Sequence, residues 1–317
     1  MTDTVGFLGL GVLGSAIAEN LVSGGLKVIG FDISETARGD AANVGVTLVD
    51  TPEAVARAAD IVFTCLPNAA ALTEAMNGPG GLLSVAAPGQ IIVEMSTLAL
   101  ADKMAFADSC IAAKRSPVDC PVSGNRIMAL KRKLTAFFSG QEADYQRLQP
   151  LLAMTCSKSH FVGAFGNGSK IKFCGNILNL VHNAVAAEAM VLAIKSGIDP
   201  KLFHEVISGS GSSSAMFEVR GALMVDEDYQ KEGMNFSVPI KDARIISDHA
   251  AEMFCPLPIY QVALQNYYAA VAQGHGMEDA AAVCKIMEQA ANASRQGSGA
   301  ASSNDARADD GPSDPQT

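Results

Sequence analysis

Two textures divide the chain. Up to about residue 160, short apolar runs alternate with segments of helical periodicity; the runs are Val5–Leu8, Val28–Phe31, Ile61–Leu66, Ile91–Met95 and Leu134–Phe138. Runs of this length, bounded by turn residues, read as buried strands, and their alternation with helices predicts a parallel sheet wrapped by helices. The punctuation agrees. Asp50-Thr-Pro-Glu53 sets a capping residue and a first-turn proline at a helix start, while Gly78-Pro-Gly-Gly81 and Pro88-Gly89 mark loops. From about Gly166 the strand-like runs stop, and helical periodicity continues to about Ala291. The segment Gly168 to Ser196 has no internal proline and only Gly175 as an internal glycine. At 1.5 Å per residue it would span about 43 Å, the length of a helix that bridges domains or forms a subunit interface. Gly197 closes it, and Asp199-Pro200 opens the next. The predicted fold is therefore α/β: a doubly wound parallel sheet over residues 1–163, followed by an all-helical domain over 164–292. Residues 293–317, rich in Ser, Gly, Asp, Ala and Pro, are expected to form a disordered tail.

The first strand leads into Gly9-Leu-Gly-Val-Leu-Gly14, with glycines in the G-x-G-x-x-G spacing. The first glycine permits a tight turn, the second lets backbone approach a pyrophosphate, and the third lets helix and strand pack closely. The helix that follows offers unpaired N–H groups and its positive dipole end to phosphates. In a chain with 29 glycines such spacing also arises by chance, but here a strand precedes it and a helix pattern follows. The second strand, Lys27-Val-Ile-Gly-Phe31, ends in Asp32, 18 residues beyond Gly14. A dinucleotide-binding unit places there the acid that accepts the adenosine ribose hydroxyls. A carboxylate at that point repels a 2′-phosphate, and the nearest arginine, Arg38, is six residues on, so NAD is favoured over NADP. The alternative makes Asp32 a turn residue or the N-cap of the helix after Ile33.

Composition narrows the function classes. Hydrophobic residues make up 49% and charged residues 18%, which suits a well-buried globular protein long enough for two cores. A net charge of −10 with no basic block beyond Lys131-Arg132-Lys133 argues against a nucleic-acid partner. Cys65, Cys110, Cys120, Cys156, Cys174, Cys255 and Cys284 include no C-x-x-C pair, and the five histidines lack ligand spacing. The pattern predicts reduced thiols, no metal site and a cytoplasmic protein. The apolar N-terminus has no positive region and is broken by glycines, so no signal peptide is expected. Glu188 interrupts the alanine-rich run 184–194, so no membrane helix is expected either.

Lys172 and Asn176 stand four residues apart on the long helix and share a face, which Asn179 and Asn183 continue. Lys170 lies about 200° around the helix from Lys172 and cannot face the same cleft. Such a polar ridge is either a solvated face or the wall of a cavity, and the apolar character of the rest of the helix favours the cavity. A lysine there would have its pKa lowered by burial and by a nicotinamide cation, and could exchange a proton with a substrate hydroxyl.

Four ordered segments, from about residue 4 to 291, carry a family resemblance. They are Gly6-Phe-Leu-Gly-Leu-Gly-Val-Leu-Gly14, Asp119-Cys-Pro-Val-Ser-Gly124, Gly166-Asn-Gly-Ser-Lys-Ile-Lys-Phe-Cys-Gly-Asn176 and Ile240-Lys-Asp242. Together they resemble the β-hydroxyacid dehydrogenase family, which includes 3-hydroxyisobutyrate dehydrogenase and tartronate semialdehyde reductase. The resemblance implies a Rossmann-type cofactor domain and an all-α substrate domain. It implies Lys172 as general acid/base, Asn176 orienting the substrate, and Ser123 and Gly124 holding its carboxylate. Gly9, Leu10, Gly11, Val12, Leu13, Gly14, Asp32, Ile33, Leu66, Pro67 and Thr97 would line the cofactor, and Lys241 would close over it. Outside that context Gly124 reads as a turn glycine, Thr97 as a helix N-cap and Lys241 as a surface residue. The chain departs from the family pattern at Asn125, Arg126, Met128, Arg132 and Gly175. Asn125 or Arg126 is a candidate reader of an additional polar or anionic substrate group, with Arg126 in solvent as the alternative. The serine-rich stretch Ser208 to Ser214 reads as an inter-helix loop and a weak pocket candidate.

The implied function is reversible hydride transfer between NAD and a small 3-hydroxy acid or its semialdehyde, in a homodimer or homotetramer. The alternatives are an imine reductase-like NAD(P)H enzyme, which the retained Lys172 disfavours, and a non-catalytic dinucleotide-binding sensor.

Overall fold

The computed structural model describes residues 3–230 and 234–295. Six parallel strands form its first sheet: β1 (Thr4–Leu8), β2 (Lys27–Phe31), β3 (Thr47–Leu48), β4 (Ile61–Thr64), β5 (Ile91–Glu94) and β6 (Ser116–Asp119). Their order is β3-β2-β1-β4-β5-β6, so chain order reverses between β1 and β4 and a crevice opens at the C-terminal ends of those strands. Between them run α1 (Val12–Ser23), α2 (Glu35–Asn43), α3 (Pro52–Ala58), α4 (Ala69–Asn77) and α5 (Leu100–Ala112). Successive strand residues serve opposite faces. Val5 and Phe7 pack with Ile17 and Leu21 of α1, while Leu8 and Val62 pack with Val55 of α3, Leu72 of α4 and Phe106 of α5. Burial on both faces explains why β4 and β5 read as continuous apolar runs. Thr51 caps α3 and Pro52 is its first residue, as the sequence predicts.

The fifth predicted strand is real but lies in a different sheet. After β6 the chain forms β7 (Val122–Ser123), α6 (Arg126–Leu130), β8 (Leu134–Phe138), α7 (Glu142–Leu152) and β9 (Cys156–Phe161). The run Leu134–Phe138 pairs antiparallel with β7 and parallel with β9 in a separate three-stranded sheet. The sixth parallel position belongs instead to Ser116-Pro-Val-Asp119, which is too polar to read as a strand; as an edge strand it tolerates Pro117.

The long predicted helix is α8 (Asn167–Lys195), 29 residues, with Gly197 at φ 77° just beyond its end. By length and composition it could cross a membrane, contrary to the expectation drawn from Glu188, because one charge does not spoil so long an apolar window. Half of that window is buried in this protein. Leu180, Ala184, Ala187, Met190 and Val191 centre a second core, so α8 is the core helix of the helical part. Around it pack α9 (Pro200–Ile207), α10 (Ala215–Asp226), α11 (Ser237–Glu252), α12 (Pro258–Ala272) and α13 (Val283–Ala290). Asn183 belongs to this core and not to a cavity wall, since its amide donates to Tyr267 Oη (2.7 Å) and the Ala280 carbonyl (2.9 Å). Most of the expected tail, residues 296–317, lies outside the described residues. Arg295 is bonded to Glu288 at 2.6 Å and to the Val225 carbonyl at 3.1 Å.

Candidate active site

The glycine turn sits at the crevice. Gly9 has φ 88°, and a Cβ there would run into the Cys65 carbonyl oxygen; one at Gly14 would run into the carbonyl oxygen of Gly9. Gly11 is different. It caps α1 without a side-chain hydrogen bond, and a Cβ added to it meets nothing within 4 Å. The turn thus needs two of its glycines for its own packing and keeps the third open, the arrangement a diphosphate requires above free helix N–H groups. Asp32 braces it: Oδ2 accepts the Leu10 N–H at 2.7 Å and Oδ1 the Ser34 N–H at 2.8 Å. Ser34, not Asp32, caps α2. Arg38 is held elsewhere, on the Val49 carbonyl and on Asp50, both at 2.9 Å. Across the crevice, the Leu66 N–H donates to Ser96 Oγ at 2.8 Å, while Ile33 and Pro67 are exposed. Burial, with Glu94 adding, pushes the neighbouring Cys65 thiol up to about 12, so it is no nucleophile. The residues at this end of the sheet fit a dinucleotide.

Lys172 and Asn176 face α11. The Asn176 amide donates to Asp242 Oδ2 at 2.7 Å, and Lys241 pairs with Asp242 Oδ1 at 3.0 Å. Lys241 also donates to the Thr97 carbonyl at 2.7 Å, which ties α11 to the loop after β5; Ala99, not Thr97, is the N-cap of α5. Burial pulls the Lys172 amine below the usual lysine range; Asp242 opposes the shift and Lys241 adds to it. Burial raises the Asp242 carboxyl, against the pull of Lys241, Lys172 and Asn176. Lys170, by contrast, is exposed and bonded to Asn167. Asp242 is the member of the cluster to which the sequence assigned no role. Its signal was available, as an acid next to Lys241 at the start of an amphipathic helix.

The segment after β6 supplies the third wall. Ser123 is half-buried at the end of β7. Gly124 has φ 129°, and a Cβ there would stand 2.6 Å from the Leu134 side chain, so the turn and the packing both demand glycine. The two departures that follow act locally. Asn125 caps α6 by accepting the Met128 N–H at 3.1 Å. Arg126 reaches the first turn of α1, with Nη1 3.1 Å from Ser15 Oγ and 3.3 Å from the Val12 carbonyl. The structure therefore groups Arg126 with the glycine turn instead of the Lys172 cluster, because the short α6 packs on α1. In the serine-rich stretch, Ser214 caps α10 and Ser213 bonds Glu218, which accounts for two of its hydroxyls. No group of three or more potential metal ligands occurs among the described residues.

The comparisons with known proteins cover nearly the whole chain. A family model described as the NAD binding domain of 6-phosphogluconate dehydrogenase matches residues 4–163. Another, described as NAD-binding of NADP-dependent 3-hydroxyisobutyrate dehydrogenase, matches residues 166–287. The 2-(hydroxymethyl)glutarate dehydrogenase of Eubacterium barkeri is 33% identical over 92% of this chain and 97% of its own length. The L-threonate dehydrogenase of Escherichia coli K12 is 32% identical over 89% of this chain and 94% of its own. A crystal structure of 3-hydroxyisobutyrate dehydrogenase from Salmonella typhimurium has a TM-score of 0.79 at 31% identity, covering 89% of this chain and 99% of that one.

Proposed function

The chain belongs to the β-hydroxyacid dehydrogenase family and is an NAD(P)-dependent 3-hydroxyacid dehydrogenase, and on that premise we propose NAD as its cofactor and Lys172 as its acid/base. The observation that carries the second assignment is a half-buried lysine on the same helix face as Asn176, which is bonded to Asp242, at the junction of the helical core with the sheet. NAD, when bound, accepts or supplies the hydride at its nicotinamide ring. In the oxidative direction the neutral Lys172 amine takes the proton of the substrate hydroxyl; in the reductive direction the ammonium returns it to the carbonyl oxygen. Burial lowers the pKa from the ordinary lysine range and so makes the neutral amine easier to reach, and a nicotinamide cation lowers it further. Asn176 is held through its amide nitrogen by Asp242, and its amide oxygen, which accepts from Asn179 Nδ2 at 3.4 Å, keeps a second lone pair for orienting the substrate. The Ser123 hydroxyl and the Gly124 N–H take the carboxylate. The turn Gly9–Gly14, Asp32, Ile33, Leu66, Pro67 and Thr97 line the dinucleotide, and Lys241 closes over it from α11.

NAD is supported by Asp32, whose two backbone hydrogen bonds hold a carboxylate where a 2′-phosphate would sit, and by Arg38, which Asp50 draws away. The substrate is a short hydroxy acid, the chemistry that the names of the relatives share, or in the reverse direction the carbonyl compound it yields. The assay that tests this reading measures kcat/KM for a panel of short 3-hydroxy acids with each cofactor. We expect NAD to exceed NADP by about tenfold or more, equivalent to about 1.4 kcal/mol. A preference for NADP would overturn the role given to Asp32, and turnover of imines alone would overturn the substrate class.

The unit boundaries proposed are 1–163 for the cofactor domain and 164–292 for the helical domain, in a cytoplasmic homodimer or homotetramer. Assembly is supported by Ile171, Leu178, Val185 and Leu192, which recur every seven residues along α8 and are all exposed.

A further inference from the structure

A buried polar cluster at the end of β6 reaches the first turn of the helix that carries Lys172. Lys103, Glu94 and Asp119 each have 0% exposure. Lys103, from the otherwise apolar inner face of α5, pairs with Glu94 and with Asp119 Oδ1, the latter at 3.0 Å. Asp119 then grips α8: Oδ2 accepts the Ser169 N–H at 2.8 Å, and Oδ1 accepts the Ser169 hydroxyl at 2.8 Å. Ser139 completes the grip, donating to Asp119 Oδ2 at 3.1 Å and accepting the Gly168 N–H at 3.0 Å. On the other side Glu94 Oε1 accepts the Ser96 N–H at 2.9 Å, and it is Ser96 Oγ that holds Leu66 on the cofactor rim. Burial works against the charge of Lys103, but the two carboxylates outweigh it and keep the ammonium above the ordinary lysine range. A cluster of buried ions has few satisfied arrangements, because every partner lost leaves a charge without water.

We propose that the Lys103–Glu94–Asp119 cluster is the positioning device of this active site, holding the start of α8 and the Leu66 rim in one frame. Ser169 precedes Lys172 by three residues, less than one helical turn, so the frame that fixes Ser169 also fixes the base of the Lys172 side chain. Gly168 lets the helix close on that frame, since a Cβ there would press into the Phe137 carbonyl oxygen. The inference rests on Lys172 being the acid/base.

Ser169→Ala and Ser139→Ala test it, because each removes a link while leaving the buried charges paired; Asp119→Asn would strand Lys103 and threatens the fold itself. For Ser169→Ala we expect kcat to fall about tenfold while KM and the NADH Kd stay within about twofold. The pH limb that reports Lys172, whose charged neighbours are Asp242 and Lys241 of α11, moves with it. In a Lys172→Ala background the same substitution costs nothing further. An unchanged kcat, or the same fold-loss with and without Lys172, would overturn the proposal. Full activity of Lys172→Ala alone would overturn the acid/base reading and this inference with it, whereas a dead Lys172→Ala with fully active serine variants overturns only the inference.

Discussion

At the scale of single residues, the proposed chemistry, with Lys172 as acid/base, turns on how Lys172 and Asp242 set each other's charge. Oxidation needs the neutral amine, so its rate rises with pH through the Lys172 pKa; reduction needs the ammonium and falls over the same window. Burial places that window below the 10.5 of a free lysine. Asp242 favours the ammonium, so Asp242→Asn removes a stabilising charge and moves both limbs to lower pH. The reductive rate at a fixed alkaline pH therefore drops. Profiles of kcat in both directions check this, and a limb that moves upward would mean that another group titrates. That Lys172 and Asn176 share a helix face was legible in the sequence because an i, i+4 pair on one helix needs no tertiary information. Asp242 was less so, since its partners come from another helix. The contacts of Arg126 were hidden for the same reason: it reaches the first turn of α1, more than a hundred residues earlier.

At the scale of elements, the glycine turn separates demands of folding from demands of binding. Gly11→Ala meets no atom within 4 Å, so stability should stay within about 0.5 kcal/mol of the parent. On the proposed reading the added methyl stands where the diphosphate approaches, and the NADH Kd should rise about tenfold or more. Gly14→Ala drives a methyl into the backbone of Gly9 and should cost about 1–3 kcal/mol besides weakening NADH. Thermal melts and fluorescence titrations distinguish the two, and equal losses of stability would contradict the division. Elements whose requirements are local, such as β1 with its turn, the Thr51-Pro52 helix start and α8, could be read directly. β6 and α5 could not. Ser116-Pro-Val-Asp119 becomes a strand through its pairing with β5. Lys103 looks like a solvent position until Glu94 and Asp119, from two other strands, are brought to it.

At the scale of the whole molecule, a sheet core and a helical core meet where α8 begins, and Lys241 crosses to Thr97 beside the same junction. The seven-residue stripe on α8 leads us to expect a dimer or tetramer by light scattering, dissociated by the pair Val185→Asp and Leu192→Asp; a monomeric parent protein would contradict it. Sequence alone could identify the two cores because each has its own periodicity, but not how they meet, which depends on contacts between distant segments. The central claim is that the glycine turn binds the dinucleotide while Lys172, on the far side of the junction, moves the proton. The most direct measurement is on Lys172→Ala, following NADH affinity and turnover in the same preparation. The account predicts an NADH Kd within about twofold of the parent and a kcat lower by about 10²–10⁴-fold. Full turnover, or a loss of NADH binding as large as the loss of rate, would contradict it.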